Sequence, residues 1–261
     1  MLGAIIGDIV GSYYEFRHFK EKDFTPLFHP LAKFTDDTVC TIAVADALLN
    51  NLDPATTLRS WCRRYWHNGG WGQRFSLWIA DDYMGPYGSW GNGGAMRVSA
   101  AGLLARDIDH VLELADQVTR ITHDHPEGLR GAYATATAIH LARIGLSASE
   151  VRENIIRRFG YNLSRSVGEI RPGYRHSERS QDSVPEALTC AFEASDFEDA
   201  IRNAVSLGGD SDTMAAIAGS VAEALFGIEE SIAFQGWRYL PDDMKAILKD
   251  LYAQQSIQKS F

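Results

Sequence analysis

Apolar and small residues recur at helical spacing along most of the chain, and charged residues fill the remaining positions of each turn. This periodicity predicts amphipathic α-helices. Alternating β-branched runs bounded by two-residue turns, which indicate hairpins, are hard to find. The clearest helical segments are residues 38–49, 95–105, 111–121, 131–144, 186–194 and 213–226. The pattern predicts an all-α fold, a compact multi-helical single domain over residues 1–261.

Small residues stand at helical intervals in two parts of the chain. They are Gly3, Gly7 and Gly11 near the start, and Ala215, Gly219 and Ala222 near the end. Because these side chains are short, neighbouring helix backbones can approach closely there. We therefore expect a tightly packed helical core.

The charge balance and the cysteines exclude several classes of protein. Lys and Arg number 25 against 34 Asp and Glu, a net charge of -9, which disfavours general nucleic-acid binding. Cys40, Cys62 and Cys190 fit neither a disulfide framework nor a Cys-x-x-Cys site, so we expect a reducing, cytoplasmic location. Neither a membrane span nor a signal peptide is visible, which predicts a soluble, unexported protein without membrane contact.

Residues 161–180 are rich in Gly, Ser, Pro and arginine. The arginines are Arg165, Arg171, Arg175 and Arg179. This composition predicts a long loop. Two interpretations stay open: a solvated connection, or a basic lid over an acidic substrate.

Two acidic clusters open predicted helices. Residues 35–38 read Thr-Asp-Asp-Thr, and residues 210–213 read Asp-Ser-Asp-Thr after two glycines. Such residues cap helix N-termini, which explains one acid in each cluster without any ligand. The second interpretation is a shared set of oxygen ligands for a hard cation such as Mg²⁺ or Mn²⁺, which would offset the repulsion between the carboxylates.

Other candidate residues surround these clusters. Asp8 and Glu15 are seven residues apart, so a helix would place both on one face. The alternative for Asp8 is a buried acid that bonds a helix end, and the alternative for Glu15 is a charge that faces solvent. Residues 88–97 form a glycine-rich run before an apolar helix, either a diphosphate cradle or a flexible turn. His123 either caps a helix or lines a site, and Trp90 is placed to stack on a base.

Taken in order, these motifs resemble the ADP-ribosylglycohydrolase family, which includes dinitrogenase-reductase-activating glycohydrolases and ADP-ribosyl-acceptor hydrolases. The matching stretches run from residue 3 to about residue 227. They are Gly-Asp-Ile-Val-Gly-Ser-Tyr-Tyr-Glu, Phe-Thr-Asp-Asp-Thr, Gly-Asn-Gly-Gly-Ala-Met-Arg, Thr-His and Gly-Gly-Asp-Ser-Asp-Thr. The resemblance implies an all-α hydrolase with two Mg²⁺ or Mn²⁺ ions at the base of an ADP-ribose cleft.

The resemblance also assigns residues to roles. The implied metal ligands are Thr35, Asp36, Asp37, Asp210, Asp212 and Thr213. The implied substrate-binding residues are Gly88, Ser89, Trp90, Gly91, Asn92, Gly93, Gly94, Met96 and His123. Asp37 is the predicted metal ligand and water-orienting base, and Glu15 is the predicted mobile carboxylate that positions or protonates.

The expected reaction cleaves the glycosidic bond at C1″ of the terminal ribose and frees ADP-ribose from a modified acceptor. The wording of the first and third motifs favours O-linked acceptors such as serine slightly over N-linked arginine. The alternatives are a hydrolase for a free small ADP-ribosyl compound and a non-catalytic ADP-ribose-binding relative. The expected partner is an ADP-ribosylated protein or such a small compound.

Overall fold

A computed structural model describes residues 1–258 of the chain, with side chains up to residue 254. Across these residues the secondary structure is α-helical, with one 3-10 turn at Trp66–Asn68, so the all-α prediction is confirmed. The helices are α1 Leu2–Ser12, α2 Asp36–Leu49, α3 Pro54–Arg64, α4 Gln73–Ala80, α5 Gly93–Met96, α6 Ser99–Leu104, α7 Ile108–Thr119, α8 Pro126–Arg143, α9 Ala148–Phe159, α10 Val167–Ile170, α11 Ser180–Phe192, α12 Phe197–Val205, α13 Ser211–Phe226, α14 Glu230–Arg238 and α15 Asp242–Gln258.

Helix α1 lies directly on α13, and the predicted small residues make this contact possible. A Cβ added to Gly7 would stand 2.0 Å from the carbonyl oxygen of Ala215, and one added to Gly11 would stand 2.3 Å from that of Ser211. Both distances are far inside van der Waals contact, so a larger side chain would force the helices apart. The close approach brings the C-terminal end of α1 to the start of α13.

The predicted helix over residues 95–105 is wrong in one respect, because the structure divides it into α5 and α6. Arg97 and Val98 lie between the two helices. The Arg97 guanidinium is buried and donates to the carbonyl of Val118 and the hydroxyl of Thr122. Apolar spacing alone cannot predict this break, because the break accompanies the burial of a charged side chain.

Helix α11 begins at Ser180, six residues before the predicted start at Glu186. Its early turns include Pro185, a residue that usually marks a helix boundary. The remaining predicted helices are present with shifted ends.

Residues 161–180 are only partly a loop. They contain α10, and the apolar side chains of Tyr161, Leu163, Val167 and Ile170 are buried in the core. The segment then runs along the functional site, where an antiparallel bridge joins Arg179 to Gly91. The solvated connection is therefore wrong for this segment as a whole.

The three cysteines are buried and unbonded, with the sulfur atoms of Cys40 and Cys62 3.9 Å apart. Within the described part of the chain, no helix has both the length and the apolar character needed to cross a bilayer.

Candidate active site

A cleft of about 490 Å³ lies where the end of α1, the start of α2, the start of α13 and the glycine-rich loop meet. This volume suits a small organic ligand. Most of the predicted site residues line it: Glu15, Asp36, Asp37, Gly88, Ser89, Trp90, Gly91, Asn92, Gly93, Met96, His123, Asp210, Asp212 and Thr213. The structure thus brings together the two acidic clusters, which lie more than 170 residues apart in sequence.

Carboxylates crowd the base of this cleft. One carboxylate oxygen each from Glu15, Asp210 and Asp212 lies within 4.8 Å of the other two. The two aspartates are buried and Glu15 is half-buried. Burial raises the pKa of Asp212 well above its ordinary value, and the charges of Asp37, Asp210 and Glu15 raise it further. Such an arrangement is unfavourable unless protons or a cation neutralise it.

Asp37 is the least satisfied of these acids. The residue is only 4% exposed, and its Oδ2 atom has no hydrogen-bond partner among the described residues. Burial, followed by the charge of Asp8, raises the pKa of Asp37 well above its ordinary value, although a hydrogen bond from Thr213 acts against this. A buried carboxylate oxygen without a partner, on a residue that lines a cleft, indicates a place for a cation.

The other two cluster acids are held by backbone or amide donors. The backbone N–H of Gly70 donates to Asp36 at 2.9 Å. The side-chain amide of Asn92 donates to Asp210 at 2.7 Å, which ties the glycine-rich loop to the cluster. Burial raises the pKa of both carboxyl groups, and these hydrogen bonds lower them in part.

Glu15 does not lie on a helix. Helix α1 ends at Ser12, so the prediction that Asp8 and Glu15 share one helical face is wrong. The chain turns after Ser12 and brings Glu15 beside Asp210 and Asp212. Burial, followed by the charges of Asp210 and Asp36, raises the pKa of Glu15 to about 7.

Asp8 instead lies beneath the cluster, bound to the start of α2. Its carboxylate accepts hydrogen bonds from the backbone N–H and the hydroxyl of Thr35 at 2.9 and 2.7 Å, and from the same two groups of Thr38. The interpretation as a buried acid bonding a helix end is therefore the one that the structure bears out. The Thr35 hydroxyl also accepts a hydrogen bond from the backbone N–H of Asp37 and so caps α2. Thr35 does not line the cleft.

The glycine-rich loop forms the wall opposite the acids. Several of its backbone N–H groups already have acceptors: Gly88 donates to Asp124 at 2.6 Å, Gly91 to Ser89 at 3.2 Å, and Asn92 to the carbonyl of Glu178 at 2.8 Å. The helix that follows the loop, α5, has only four residues and therefore contributes little helix dipole. Gly94 points away from the cleft, since an added Cβ would stand 2.8 Å from Thr119.

His123 sits behind the loop as a neutral imidazole. Burial and the nearby charge of Arg97 lower the pKa of His123 well below its ordinary value. Its Nδ1 atom lies 2.7 Å from the Thr122 hydroxyl oxygen, which accepts from Arg97 at 2.6 Å. This arrangement favours the tautomer in which the Thr122 hydroxyl donates to Nδ1 and Nε2 carries the proton. A Cβ on Gly93 would stand 3.1 Å from that Nε2, so the imidazole directly backs the loop.

Trp90 stands at the rim of the cleft, 52% exposed. Its ring meets His125 edge-on, with the ring centroids 5.8 Å apart. Its main chain is held, because the N–H of Ser180 donates to the Trp90 carbonyl at 3.0 Å. One face of an indole on a fixed backbone is therefore available to a ligand.

Several residues that line the cleft were not assigned to the site from the sequence: Gly70, Gly72, Gln73, Arg74, Phe75, Tyr87, Arg97 and Glu178. The glycines of residues 69–72 were the available signal for one wall. Of the four arginines in residues 161–180, only Arg179 reaches the cleft, beside Glu178. A lid made of all four arginines is therefore wrong.

Comparison with known proteins identifies the family. The profile described as ADP-ribosylglycohydrolase matches residues 1–259. The ADP-ribosylarginine hydrolase Tri1 of Pseudomonas putida is 28% identical, over 87% of this chain and 70% of its own length. The human ADP-ribosylhydrolase ARH3 is 26% identical, over 88% of this chain and 85% of its own.

A solved structure shares the fold. It is described as an ADP-ribosylglycohydrolase-related protein complex and superposes with a TM-score of 0.70 at 25% identity, covering 97% of each chain. With the sequence matches, it confirms the predicted fold class and hydrolase class. The chain belongs to the ADP-ribosylglycohydrolase family.

Proposed function

We propose that this protein is a metal-dependent hydrolase that releases ADP-ribose from a modified acceptor by cleaving the bond at C1″ of the terminal ribose. The observation that carries the proposal is the buried carboxylate cluster at the base of the cleft, where the lining residue Asp37 has an Oδ2 atom without a partner among the described residues. An all-oxygen donor set suits Mg²⁺ or Mn²⁺. Family membership supports the same reading.

The predicted ligands fit a pair of divalent cations. Asp36, Asp37, Asp210, Asp212 and Thr213 all line the base of the cleft, where their oxygens are available. Thr35 does not line the cleft, and its assignment as a ligand remains a prediction. Two such cations would supply Lewis-acid chemistry at the ribose and would lower the pKa of a water molecule.

The chain's own groups supply the remaining chemistry. Asp37 lines the cleft, and we assign it to orient the attacking water and accept its proton. Glu15 lies beside Asp210 and Asp212, and we assign it to protonate the leaving acceptor. The surrounding carboxylates stabilise the positive charge that develops on the ribose ring.

The glycine-rich wall positions the rest of the substrate. Gly88, Gly91 and Asn92 already use their N–H groups within the protein, so we assign diphosphate contacts to the remaining groups of the loop, such as the Ser89 hydroxyl. Trp90 stacks on the adenine at the rim, and His123 supports the loop from behind. These contacts supply orientation.

For the acceptor we propose an O-linked serine-type adduct first and N-linked arginine second. The similarity to an ADP-ribosylarginine hydrolase favours the second candidate. So does Glu178, because a carboxylate at the rim suits a guanidinium group. The small-compound alternative and the cytoplasmic location stay predictions.

The test measures ADP-ribose release from serine-linked and arginine-linked peptides and from a free ADP-ribosyl phosphate, with Mg²⁺, with Mn²⁺ and with chelator. We expect metal-dependent release from a peptide, and none from Asp36→Ala. Asp109→Ala, an exposed acid of α7, is the matched control and should act as wild type. Tight ADP-ribose binding without any release would instead support a non-catalytic relative.

A further inference from the structure

The ammonium group of Lys20 is enclosed by three backbone carbonyls. Its Nζ atom donates to the oxygens of Arg171 at 2.9 Å, of Tyr174 at 2.7 Å, and of Leu207. A lysine has three N–H donors, so these contacts use all of them. The carbonyls come from two segments, the turn after α10 and the loop between α12 and α13, so Lys20 joins parts of the chain that are distant in sequence.

The Leu207 carbonyl lies at the start of the loop that carries Asp210 and leads into the first turn of α13, where Asp212 lies. Gly208, the next residue, has φ +64°, and a Cβ added there would stand 2.4 Å from the carbonyl oxygen of Phe19. The loop is therefore packed directly on the segment that contains Lys20. From this contact the chain reaches Asp210 in two residues.

Tyr174 supports the same loop from the other side. A Cβ added to Gly209 would stand 2.4 Å from the Tyr174 ring. The Tyr174 hydroxyl lies 3.5 Å from the sulfur of Met214, in the first turn of α13. Tyr174 thus touches the residues immediately before and after the 210–213 cluster, and Lys20 holds its main chain.

We propose that Lys20 is a positioning residue that presets Asp210 and Asp212 for cation binding. The inference rests on the metal site of the proposed function. Neighbouring carboxylates repel one another, so an unrestrained loop would move them apart and the cation would have to draw them back. Groups that orient ligands in this way typically change metal affinity by about 10–100-fold.

The experiment is a calorimetric Mn²⁺ titration of the whole chain and its variants, well below their melting midpoints. Lys20→Met keeps the aliphatic stem and removes all three donors. Lys249→Met, at an exposed lysine of α15, is the matched control. Leu248→Ala leaves a cavity in the core beside α15. Because Leu248 does not line the cleft, this variant controls for lost stability alone. Asp212→Asn is the variant expected to lose the site.

We expect Lys20→Met to bind Mn²⁺ about tenfold more weakly than wild type or more, while Lys249→Met and Leu248→Ala match wild type. Wild-type affinity in Lys20→Met, or equal weakening in Leu248→Ala, would overturn the role of Lys20. If Lys20→Met does not fold, Lys20→Gln replaces it, and wild-type affinity there overturns the proposal in the same way. Failure of the wild-type chain to bind Mn²⁺ would instead refute the metal site of the proposed function.

Discussion

Asp8 of α1 and Asp37 of α2 are both buried aspartates beside the start of α2, yet their surroundings are opposite. Asp8 accepts four hydrogen bonds, from the backbone and hydroxyl groups of Thr35 and Thr38. Asp37 lines the cleft and has an Oδ2 atom without a partner in the described part of the chain. Burial raises the pKa of Asp8 to about 6 and raises that of Asp37 well above its ordinary value.

This contrast separates an acid that serves the fold from one that serves a ligand. The donors around Asp8 lower its pKa and compensate its burial within the protein. Nothing comparable compensates Asp37, so its burial costs stability until a cation or a proton arrives. Substitutions at the two positions should therefore have opposite effects on stability and on function.

The largest expected effect is the loss of turnover in Asp37→Asn. We expect ADP-ribose release to fall by at least about 10²-fold, the scale of removing one preorganised electrostatic contact. The metal-free protein should be as stable as wild type or more so, because the substitution removes a repulsive buried charge. Activity assays and urea unfolding check both parts. Full turnover in this variant would show that Asp37 is not the base.

Asp8→Asn should show the reverse pattern. Its amide keeps one oxygen for the donors but places an NH₂ group toward the Thr35 hydroxyl. We expect the free energy of unfolding to fall by about 1–2 kcal/mol, with Mn²⁺ affinity within a few-fold of wild type. Urea unfolding and metal titration of the same preparation test this. A large loss of metal binding with unchanged stability would mean that Asp8 belongs to the site.

The metal-free protein should lose stability as pH rises. Folding raises the pKa of Glu15 to about 7 and that of Asp8 to about 6, so the folded state binds more protons than the unfolded state between their ordinary values and these. Stability therefore falls across about pH 4.5 to 7. The melting midpoint should drop by a few degrees, at about 2–4 °C for each kcal/mol. A flatter profile in Glu15→Gln would trace the effect to the cluster, and an unchanged one would not.

The smallest expected effect is at Trp90, on the rim of the cleft. Trp90→Ala should raise KM about fivefold, corresponding to ~1 kcal/mol of lost base stacking, and leave kcat nearly unchanged. Steady-state kinetics measure both constants, and Trp66→Ala, another exposed tryptophan outside the cleft, is the control. A fall in kcat alone would place Trp90 in the chemistry instead.

Local sequence patterns were sufficient for the fold class and for part of the helices. Apolar spacing locates α2, α7, α8, α11 and α13, but α15 was not among the predicted segments. The small residues at helical spacing predict close packing of helices, which the contact of α1 with α13 shows. The break at Arg97 was not predictable in this way, since it depends on buried acceptors 21 and 25 residues away. The end of α1 at Ser12 was also missed. The spacing of Asp8 and Glu15 fits a helix, but the chain leaves the helix between them.

The acidic half of the site was recognisable because its residues stand next to one another in sequence. Two acids in each cluster exceed what a helix cap requires, and family resemblance joins the clusters. Glu178 gave no such sign, because its place at the cleft depends on a bridge between Arg179 and Gly91 that only the folded chain forms. Spacing also could not separate Asp8 from Asp37, since that difference lies in hydrogen-bond partners.

The most direct test is a calorimetric Mn²⁺ titration of the metal-free wild-type chain, run beside Asp37→Asn and Asp8→Asn. We expect wild type and Asp8→Asn to bind two ions per chain and Asp37→Asn to bind much more weakly. Absence of Mn²⁺ binding by wild type, or equal binding by Asp37→Asn, would contradict the claim that this buried, unpartnered carboxylate is kept for a cation.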